Sequence, residues 1–598
     1  MSPQWGPVPA LPALFRRLSL GRFGTLLRRV LGVWRALALL VVTAVVEETA
    51  GVVGTVAGVL NWLVAGYLVY RLVRWIRRRL AQRRFGRAIR DDGIAGNPHL
   101  LPQQLARAED PLDAVRMKAC ARGGGAYLGF LTTHLPFNTA PHTCEWVSAD
   151  PEHAVLVLGP PRSGKTSGII IPAIVAHPGA AISTSTKGDV FAATQDARST
   201  YGNLWWFDPS GDTPAPEGCR PLSWSPVTAA ATWDGALLMA TAMASASPQA
   251  HGNGDSHWTE RAGTLLAPLL HAAALGGLGI TDVHQWVLRQ DLNACGLLLE
   301  EHLATIANDV LVGIAQTADK ERSGIFSTAS AVLAAYNAEG PRRVAADPNF
   351  DAAGFVRTAD TIYIVAPAHK QRLTAPLVVG LLEDIRHATY QRAAAIAAAQ
   401  EARQYPVLFA LDEAANIAPI HDLPAMVSEG GGQGAHIMAC FQDLSQVRGR
   451  WGADVADGFL SLFQTKVILP GIGDTKTLES LSIAIGEYDR VLQSQTSGFS
   501  YDHRSFFPSR STSRTNSIQR TRILEPGQIA NTPDGYFLMM RGVKWWKVQA
   551  TPYYSHNPWP KVLEAARARV RNPELAPAPS EVQAARLKQA LIEQGPDQ

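Results

Sequence analysis

A glycine-rich segment with the spacing G-x-x-x-x-G-K-T directly follows a short apolar run. That run, residues 154–158, has the length and β-branched content of a buried parallel strand. In such a loop, backbone N–H groups close around phosphate, the lysine reaches the β and γ phosphates, and the next hydroxyl binds Mg²⁺. The pattern predicts an ATP site formed by Gly159, Pro160, Pro161, Arg162, Ser163, Gly164, Lys165, Thr166 and Ser167.

A second apolar run, residues 406–411, ends in the acidic pair Asp412 and Glu413. In a P-loop site the first acid would hold Mg²⁺ through water and the second would polarise the attacking water. An ordinary exposed strand end has the same appearance, and the pairing with the P-loop favours the catalytic interpretation. We therefore predict Lys165 and Glu413 as catalytic residues, and Thr166 and Asp412 as the residues that hold the metal ion.

Gln442 ends a third apolar run, residues 435–441. Open α/β sheets bind ligands at the carboxyl ends of their strands, so Gln442 is predicted to be catalytic by sensing the γ-phosphate. A purely structural role fits a lone glutamine at a strand end equally well.

The chain that positions these residues is too long for one core. Its 598 residues indicate two to four folding units. The five cysteines are far apart and include no C-x-x-C pair, which favours neither a zinc site nor a disulfide framework.

The basic charge is concentrated near the start of the chain. The whole sequence carries +4, but residues 1–90 contain fifteen arginines, no lysine and only Glu47 and Glu48 as acids, which gives +13 and leaves −9 for the rest. A soluble part that is basic all over is therefore excluded, and any contact with nucleic acid has to be local.

Two apolar runs in this basic segment predict a transmembrane helical hairpin. Residues 50–70 carry no charge and are long enough to cross the hydrocarbon core. Residues 30–46 are shorter and include Arg35 near their start, where its side chain could reach the headgroups. Arginines flank the pair on both sides, so both ends are predicted to face the cytoplasm. A cleaved signal peptide is the alternative and fits the doubled run less well.

Three other stretches carry weaker patterns. Residues 494–520 are rich in Ser, Thr and Arg with few apolar anchors, which predicts a mobile loop. Its arginines and aromatic residues could also contact nucleic acid, although a solvated loop is the favoured interpretation. Asp534-Gly535 before two apolar runs predicts a terminal hairpin, and the last residues predict a short helix and a frayed tail.

The order of the motifs along the chain carries a resemblance. After the apolar hairpin come the P-loop, residues 185–189 (STKGD), 206–209 (WFDP), 255–258 (DSHW), 411–414 (LDEA), 441–446 (FQDLSQ) and 474–477 (DTKT). This set resembles the coupling-protein ATPases of type IV secretion and conjugation, the TraG/TraD-type family, which is similar to the hexameric FtsK and HerA DNA translocases. The resemblance covers most of the chain.

The resemblance implies an α/β fold: a RecA-like P-loop motor domain with an all-α insertion domain, joined to the N-terminal transmembrane hairpin. It also implies a homo-hexamer with nucleotide at the subunit interfaces. The expected organisation is a membrane anchor (1–90), a linker and the start of the motor (91–150), the motor (151–225 and 340–560), the insertion (226–339) and a C-terminal tail (561–598).

The family pattern is broken at one place. Many relatives carry an arginine in a turn after the Asp-Glu strand, where it can reach a neighbour's nucleotide, but residues 428–434 of this chain read SEGGGQG. Arg448 and Arg450 are the nearest candidates for an arginine finger. Ordinary surface arginines or contacts with a DNA backbone explain them as well.

The resemblance predicts a multi-pass ATPase of the bacterial cytoplasmic membrane that uses ATP and Mg²⁺. Its implied partners are single-stranded DNA with a relaxase, or a secreted protein cargo, and the components of a type IV secretion channel. Two alternatives are an ATP-binding platform that only docks protein cargo, and an FtsK-like pump for double-stranded DNA. The pump should carry a C-terminal winged-helix-like reader, which the sequence does not indicate.

Overall fold

A large, mostly parallel sheet organises the part of the chain that the structure describes. The structure is a computed structural model and describes residues 102–132, 144–247, 256–400, 404–500, 509–542 and 544–572. The predicted anchor over 30–46 and 50–70 lies outside these ranges. Within them, no helix is both long enough and apolar enough to cross a membrane.

Twelve strands form this sheet and two more form a separate ribbon. In chain order they are β1 (Tyr127–Thr132), β2 (Cys144–Ser148), β3 (Val155–Leu158), β4 (Ala181–Ser185), β5 (Leu204–Phe207), β6 (Arg220–Pro221), β7 (Thr361–Val365), β8 (Val407–Leu411), β9 (Ala435–Phe441), β10 (Thr465–Ile468), β11 (Glu487–Ser500), β12 (Ser509–Arg522), β13 (Tyr536–Arg541) and β14 (Lys544–Gln549).

The sheet has the order β2-β1-β14-β13-β10-β3-β9-β8-β4-β7-β5-β6. From β10 to β6 all neighbours are parallel, whereas β13, β14, β1 and β2 add an antiparallel end. Every residue of β3, β4, β7, β8 and β9 is buried, as expected of parallel strands covered by helices on both faces. The predicted α/β class and the hairpin after Asp534-Gly535 are confirmed.

Helices pack around the sheet and against one another. They are α1 (Pro102–Ala106), α2 (Pro111–Cys120), α3 (Ile171–Ala176), α4 (Asp189–Ser199), α5 (Pro226–Ala229), α6 (Trp233–Ser245), α7 (Ser256–Leu275), α8 (Ile280–Arg289), α9 (Asn293–Glu301), α10 (Thr305–Ala315), α11 (Asp319–Val332), α12 (Glu339–Ala346), α13 (Ala352–Phe355), α14 (Gln371–Ala399), α15 (Ala414–Ile417), α16 (Leu423–Glu429), α17 (Leu444–Trp451), α18 (Ala453–Leu462), α19 (Thr475–Ile485), α20 (Pro526–Ala530) and α21 (Trp559–Arg571). Between residues 226 and 355 all described elements are helical, so the helices continue past residue 339.

The glycine-rich turn at residues 430–434 lies where β9 begins, at the amino end of the parallel strands. A Cβ on Gly431 would lie 2.0 Å from the Glu152 carbonyl oxygen, and Gly434 has a φ of +79°. A side chain at either position would clash or be strained. These glycines therefore have a packing role at the amino ends of the parallel strands, whereas the P-loop lies at their carboxyl ends.

The two ends of the described chain meet at a cluster of charged side chains. Arg569 of α21 pairs with Asp113 of α2 at 2.9 Å and also with Asp110. Tyr201, which follows α4, donates its hydroxyl to Asp113 at 2.7 Å. Residues 559–571 thus form a helix packed against α2 and α4, so the boundary predicted at 560/561 cuts through a packed element.

The loop predicted over residues 494–520 is wrong for the described part of that stretch. Strands β11 and β12 each contain fourteen residues and pair antiparallel along their whole length. The described side chains of the pair are almost all exposed, so neither strand shows the apolar alternation that marks a half-buried strand. We call this pair the ribbon.

Candidate nucleotide site

The P-loop connects the end of β3 to the helix that follows. Its first glycine donates its N–H to the Phe441 carbonyl oxygen at 3.1 Å, which fastens the loop to the end of β9. A Cβ on Gly159 would lie 2.6 Å from the Ser163 hydroxyl oxygen. Gly164 adopts φ +91°, which favours glycine, and Arg162 adopts φ +64°. The motif's glycines are therefore required by the shape of the loop.

Lys165 folds back into the loop that it terminates. Its side chain is buried, and its ammonium group donates to the carbonyl oxygens of Gly159 at 2.5 Å and Pro160 at 3.1 Å. The cation is therefore held inside the curve of the loop, where phosphate oxygens bind in P-loop proteins.

A hydrogen bond joins the two halves of the predicted site. The Thr166 hydroxyl donates to Asp412 Oδ2 at 2.7 Å. Thr184, at the end of the neighbouring β4, donates its hydroxyl to the Asp412 carbonyl oxygen at 2.8 Å. Burial raises the pKa of Asp412, while the Thr166 hydroxyl and the Lys165 cation lower it. Burial outweighs these partners, so the pKa of Asp412 lies above its ordinary value.

Glu413 follows Asp412 in a left-handed backbone conformation with φ +55°. Its N–H donates to Asp412 Oδ1 at 3.1 Å, and Asn416 Nδ2 donates to Glu413 Oε2 at 3.0 Å. The side chain remains partly exposed. This turn points the second acid away from the strand and holds it with the first turn of α15.

Gln442 lies beside the P-loop. The parallel register pairs Leu158 with Phe441, so the residues that follow them, Gly159 and Gln442, are neighbours across β3 and β9. The Gln442 N–H donates to Gln446 Oε1 at 2.9 Å, which closes the turn into α17. The structure therefore brings Gln442 to the same edge as the phosphate-binding loop.

The candidate arginines lie on α17, the helix after Gln442. Arg448 forms an ion pair with Asp474 at 2.6 Å. Asp474 also caps α19, accepting from the Thr477 N–H at 3.0 Å. Burial, together with the nearby charge of Arg372, lowers the pKa of Arg450 to about 10. Arg448 is thus held within its own chain, and a role across a subunit interface stays a prediction for both arginines.

Two contacts of this site were missed by the sequence analysis. Thr184 directly precedes the STKGD motif, and Asn416 lies three residues after Glu413. The position of Thr184 depends on the register of β4 against β8, which sequence spacing does not reveal. For Asn416 a signal existed, because residues three apart on a helical turn are neighbours.

The helix after the P-loop is fastened to the C-terminal part of the chain. Residues Thr166–Ile170 form a π-helical turn that continues into α3. Pro172 has no N–H to offer the preceding turn, and the Ser167 carbonyl oxygen instead accepts the Tyr553 N–H at 3.0 Å. Ser167 is therefore connected to the segment after β14.

The donor set fits a nucleotide's phosphates and a magnesium ion. The Ser163 hydroxyl is buried without a hydrogen-bond partner, which leaves a polar atom available inside the loop. Hydroxyl and carboxylate oxygens are ligands that Mg²⁺ prefers. Lys165, Thr166 and Asp412 would hold the phosphates and the ion, and a bound Mg²⁺ neutralises charge on the phosphoryl group.

Comparisons with known proteins agree with this architecture. Protein VirD4 of Rhizobium radiobacter is 25% identical over 438 residues, which cover 71% of this chain and 60% of the relative. The chain thus spans about 60% of the length of this curated relative.

Two solved structures are similar in fold. The bacterial conjugative coupling protein TrwBdeltaN70, in an unbound form, has a TM-score of 0.51 and 19% identity, covering 69% of this chain and 88% of that chain. The plasmid coupling protein TrwB in complex with ADP and Mg²⁺ has a TM-score of 0.50 and 17% identity, covering 69% and 90%.

A family model described as type IV secretory system conjugative DNA transfer matches residues 129–578, which is more than half of the chain. The match includes the P-loop, the Asp-Glu strand and the ribbon. This chain therefore belongs to the type IV secretory system conjugative DNA transfer family, as its motifs predicted.

Proposed function

We propose that this chain is a membrane-anchored coupling ATPase that hydrolyses ATP to drive single-stranded DNA, with its relaxase, or a protein cargo, into a type IV secretion channel. The observation that carries the proposal is the hydrogen bond between Thr166 and Asp412. It joins the P-loop to the acidic end of β8, in the arrangement that Mg²⁺-nucleotide sites require. The family match supports conjugative transfer as the context.

The proposed chemistry assigns one task to each residue. The P-loop amides and Lys165 bind and orient the phosphates, while Thr166 and Asp412 hold Mg²⁺. Glu413 polarises the attacking water. Gln442 contacts the γ-phosphate and couples its presence or absence to the position of α17. The structure of TrwB with ADP and Mg²⁺ supports the choice of ligand, since that protein has a similar fold.

The proposal also includes the setting of the motor. The apolar runs 30–46 and 50–70 would anchor the chain in the bacterial cytoplasmic membrane, with both ends and the motor in the cytoplasm. A RecA-like homo-hexamer would place each nucleotide at a subunit interface, as the family resemblance implies. The channel components and the cargo would be its partners.

Turnover with and without DNA tests this proposal. Full-length protein in lipid nanodiscs should hydrolyse ATP, and single-stranded oligonucleotide should accelerate it. Tight nucleotide binding with no turnover under any condition would instead support a docking platform. That second candidate is favoured by one observation: the turn at residues 428–434 contains no arginine and is used for packing.

Two variants distinguish an arginine finger at Arg448 from an ion pair that only stabilises the fold. Arg448→Ala is expected to lower turnover by about 10³-fold if its guanidinium acts on a neighbour's nucleotide. Asp474→Asn is the matched control, because it removes the same ion pair while asparagine still caps α19. ATPase assays of both variants measure the difference.

Mixed oligomers decide whether Arg448 acts across an interface. A mixture of Arg448→Ala and Glu413→Gln subunits should regain part of the turnover, because some interfaces would combine an intact Glu413 with a neighbour's intact Arg448. Equal loss in Arg448→Ala and Asp474→Asn, with nothing regained on mixing, would show that the pair only stabilises the fold.

A further inference from the structure

The ribbon is an arm with little attachment to the rest of the described chain. Each of its strands spans about 45 Å at the usual rise per residue, and each pairs only with the other, so both outer edges lack a strand partner among the described residues. Isolated two-stranded ribbons are marginal in water. A ligand that binds along the ribbon would therefore stabilise it.

The base of the ribbon is fixed close to the nucleotide site. Ile523 donates its N–H to the Gly486 carbonyl oxygen at 3.0 Å, which closes the base of the ribbon. The next helix, α20, ends where Ala530 accepts the Gly471 N–H at 2.9 Å. A Cβ on Gly471 would lie 3.3 Å from Pro160 of the P-loop. A short chain of contacts therefore connects the ribbon to the phosphate-binding loop.

Charge is distributed unevenly along the ribbon. Near the base, the register pairs Glu487 with Arg522 and Asp489 with Arg520, so these charges balance. The two exposed side chains of the second pair approach to 3.9 Å. Opposite-charge pairs of this kind hold the two strands in register. Arg520 and Arg522 thus lie opposite acids, whereas Arg490, the third arginine near the base, lies opposite Gln519.

The outer half of the ribbon is cationic and free of acids. Residues 493–500 and 509–516 contain Arg510 and Arg514, nine serines or threonines and no aspartate or glutamate. Arg514 is exposed, and the register places it opposite Gln495, an uncharged residue. Asn516 and Ile518 share its face, because side chains alternate along a strand. Arginine, hydroxyl and amide groups are the ones that contact phosphates and sugars in nucleic-acid complexes.

We propose that the outer half of the ribbon binds single-stranded nucleic acid along its phosphate backbone, independently of sequence. This inference rests on the proposed function and identifies the element that holds the transported strand. The negative net charge of the chain after residue 90 requires any such contact to be local, and the outer strand residues 493–500 and 509–516 carry two arginines and no aspartate or glutamate. Its connection to the P-loop would let strand binding alter turnover.

Salt-dependent binding tests the ribbon. Full-length Arg510→Gln/Arg514→Gln is compared with Arg289→Gln/Arg571→Gln, which removes the same charge from exposed positions on α8 and α21. Fluorescence anisotropy with an oligo(dT) of about thirty nucleotides gives the affinity across salt. The ribbon variant should bind about tenfold more weakly at low salt, and its salt slope should be shallower by about 1.4, since each lost phosphate contact removes about 0.7. Turnover without DNA should be unchanged, and its stimulation by DNA should fall.

The outcomes separate this inference from the proposed function. If the wild type binds oligo(dT) and the two double variants bind it with equal affinity and equal salt slope, the ribbon's role is overturned. The proposed DNA-driven function would be unaffected. Failure of the wild type to bind oligo(dT), with no stimulation of turnover, would overturn both the ribbon's role and transport of single-stranded DNA, and would leave protein cargo as the transported substrate. A change in oligomer mass by light scattering, specific to the ribbon variant, would show that the ribbon contacts a second copy of the chain and would overturn nucleic acid as its occupant.

Discussion

Glu413→Gln is expected to bind ATP and Mg²⁺ normally and to turn ATP over about 10²- to 10³-fold more slowly than the wild type. Glutamine keeps the size of the side chain and an oxygen that can accept the hydrogen bond from Asn416. The left-handed backbone at this position is equally available to both residues. What is lost is the carboxylate that polarises water, so the effect should appear in kcat and not in affinity.

Steady-state turnover and equilibrium binding of a fluorescent ATP analogue measure the two quantities separately. Glu429→Gln, at the exposed end of α16, makes the same chemical change away from the site and should behave as the wild type. Retained turnover in Glu413→Gln would place the water-activating group elsewhere. Equal losses of affinity and turnover would indicate that Glu413 supports the structure of the loop.

Lys165→Ala should abolish measurable turnover and weaken nucleotide binding by at least about tenfold. The ammonium group lies within the curve of the P-loop, where phosphate oxygens bind in P-loop proteins. Its charge also lowers the pKa of Asp412. Without it, the pKa of Asp412 should rise further.

Arg162→Ala is the matched control for Lys165→Ala. It removes an equal charge from the same loop, but Arg162 is exposed, whereas Lys165 is buried. Removing two hydrogen bonds of Lys165 is expected to lower the free energy of unfolding by about 1–3 kcal/mol, so thermal denaturation has to show that the variant is folded. Similar binding by the two variants would mean that only the net charge of the loop matters.

The nucleotide site could be predicted from the sequence because the patterns that mark it are local. A buried run followed by Gly159 to Thr166, and another followed by Asp412, each predict a strand and the polar residues at its end. The contact between Thr166 and Asp412 then follows if both strands are parallel members of one sheet. Family membership followed in the same way from the order of motifs.

Elsewhere the deciding interactions are distant in sequence. The ribbon forms through the pairing of two polar strands, and burial-based patterns do not reveal such pairing. The ion pair between Arg448 and Asp474 joins α17 to the N-cap of α19, with α18 and β10 between them in the chain. The docking of α21 depends on Arg569 meeting Asp110 and Asp113 more than four hundred residues earlier, which no local pattern indicates.

The cluster around Arg569 has a mechanical consequence for the fold, because it joins the two ends of the described chain. A pull applied to α1 and α2 would first strain the ion pairs of Asp110 and Asp113 with Arg569, in which Arg569 and Asp113 are buried. The strands of the sheet, held by cooperative ladders, would take the load only afterwards. Strain that enters the fold through α1 and α2 would therefore act on this cluster before it reached the nucleotide site.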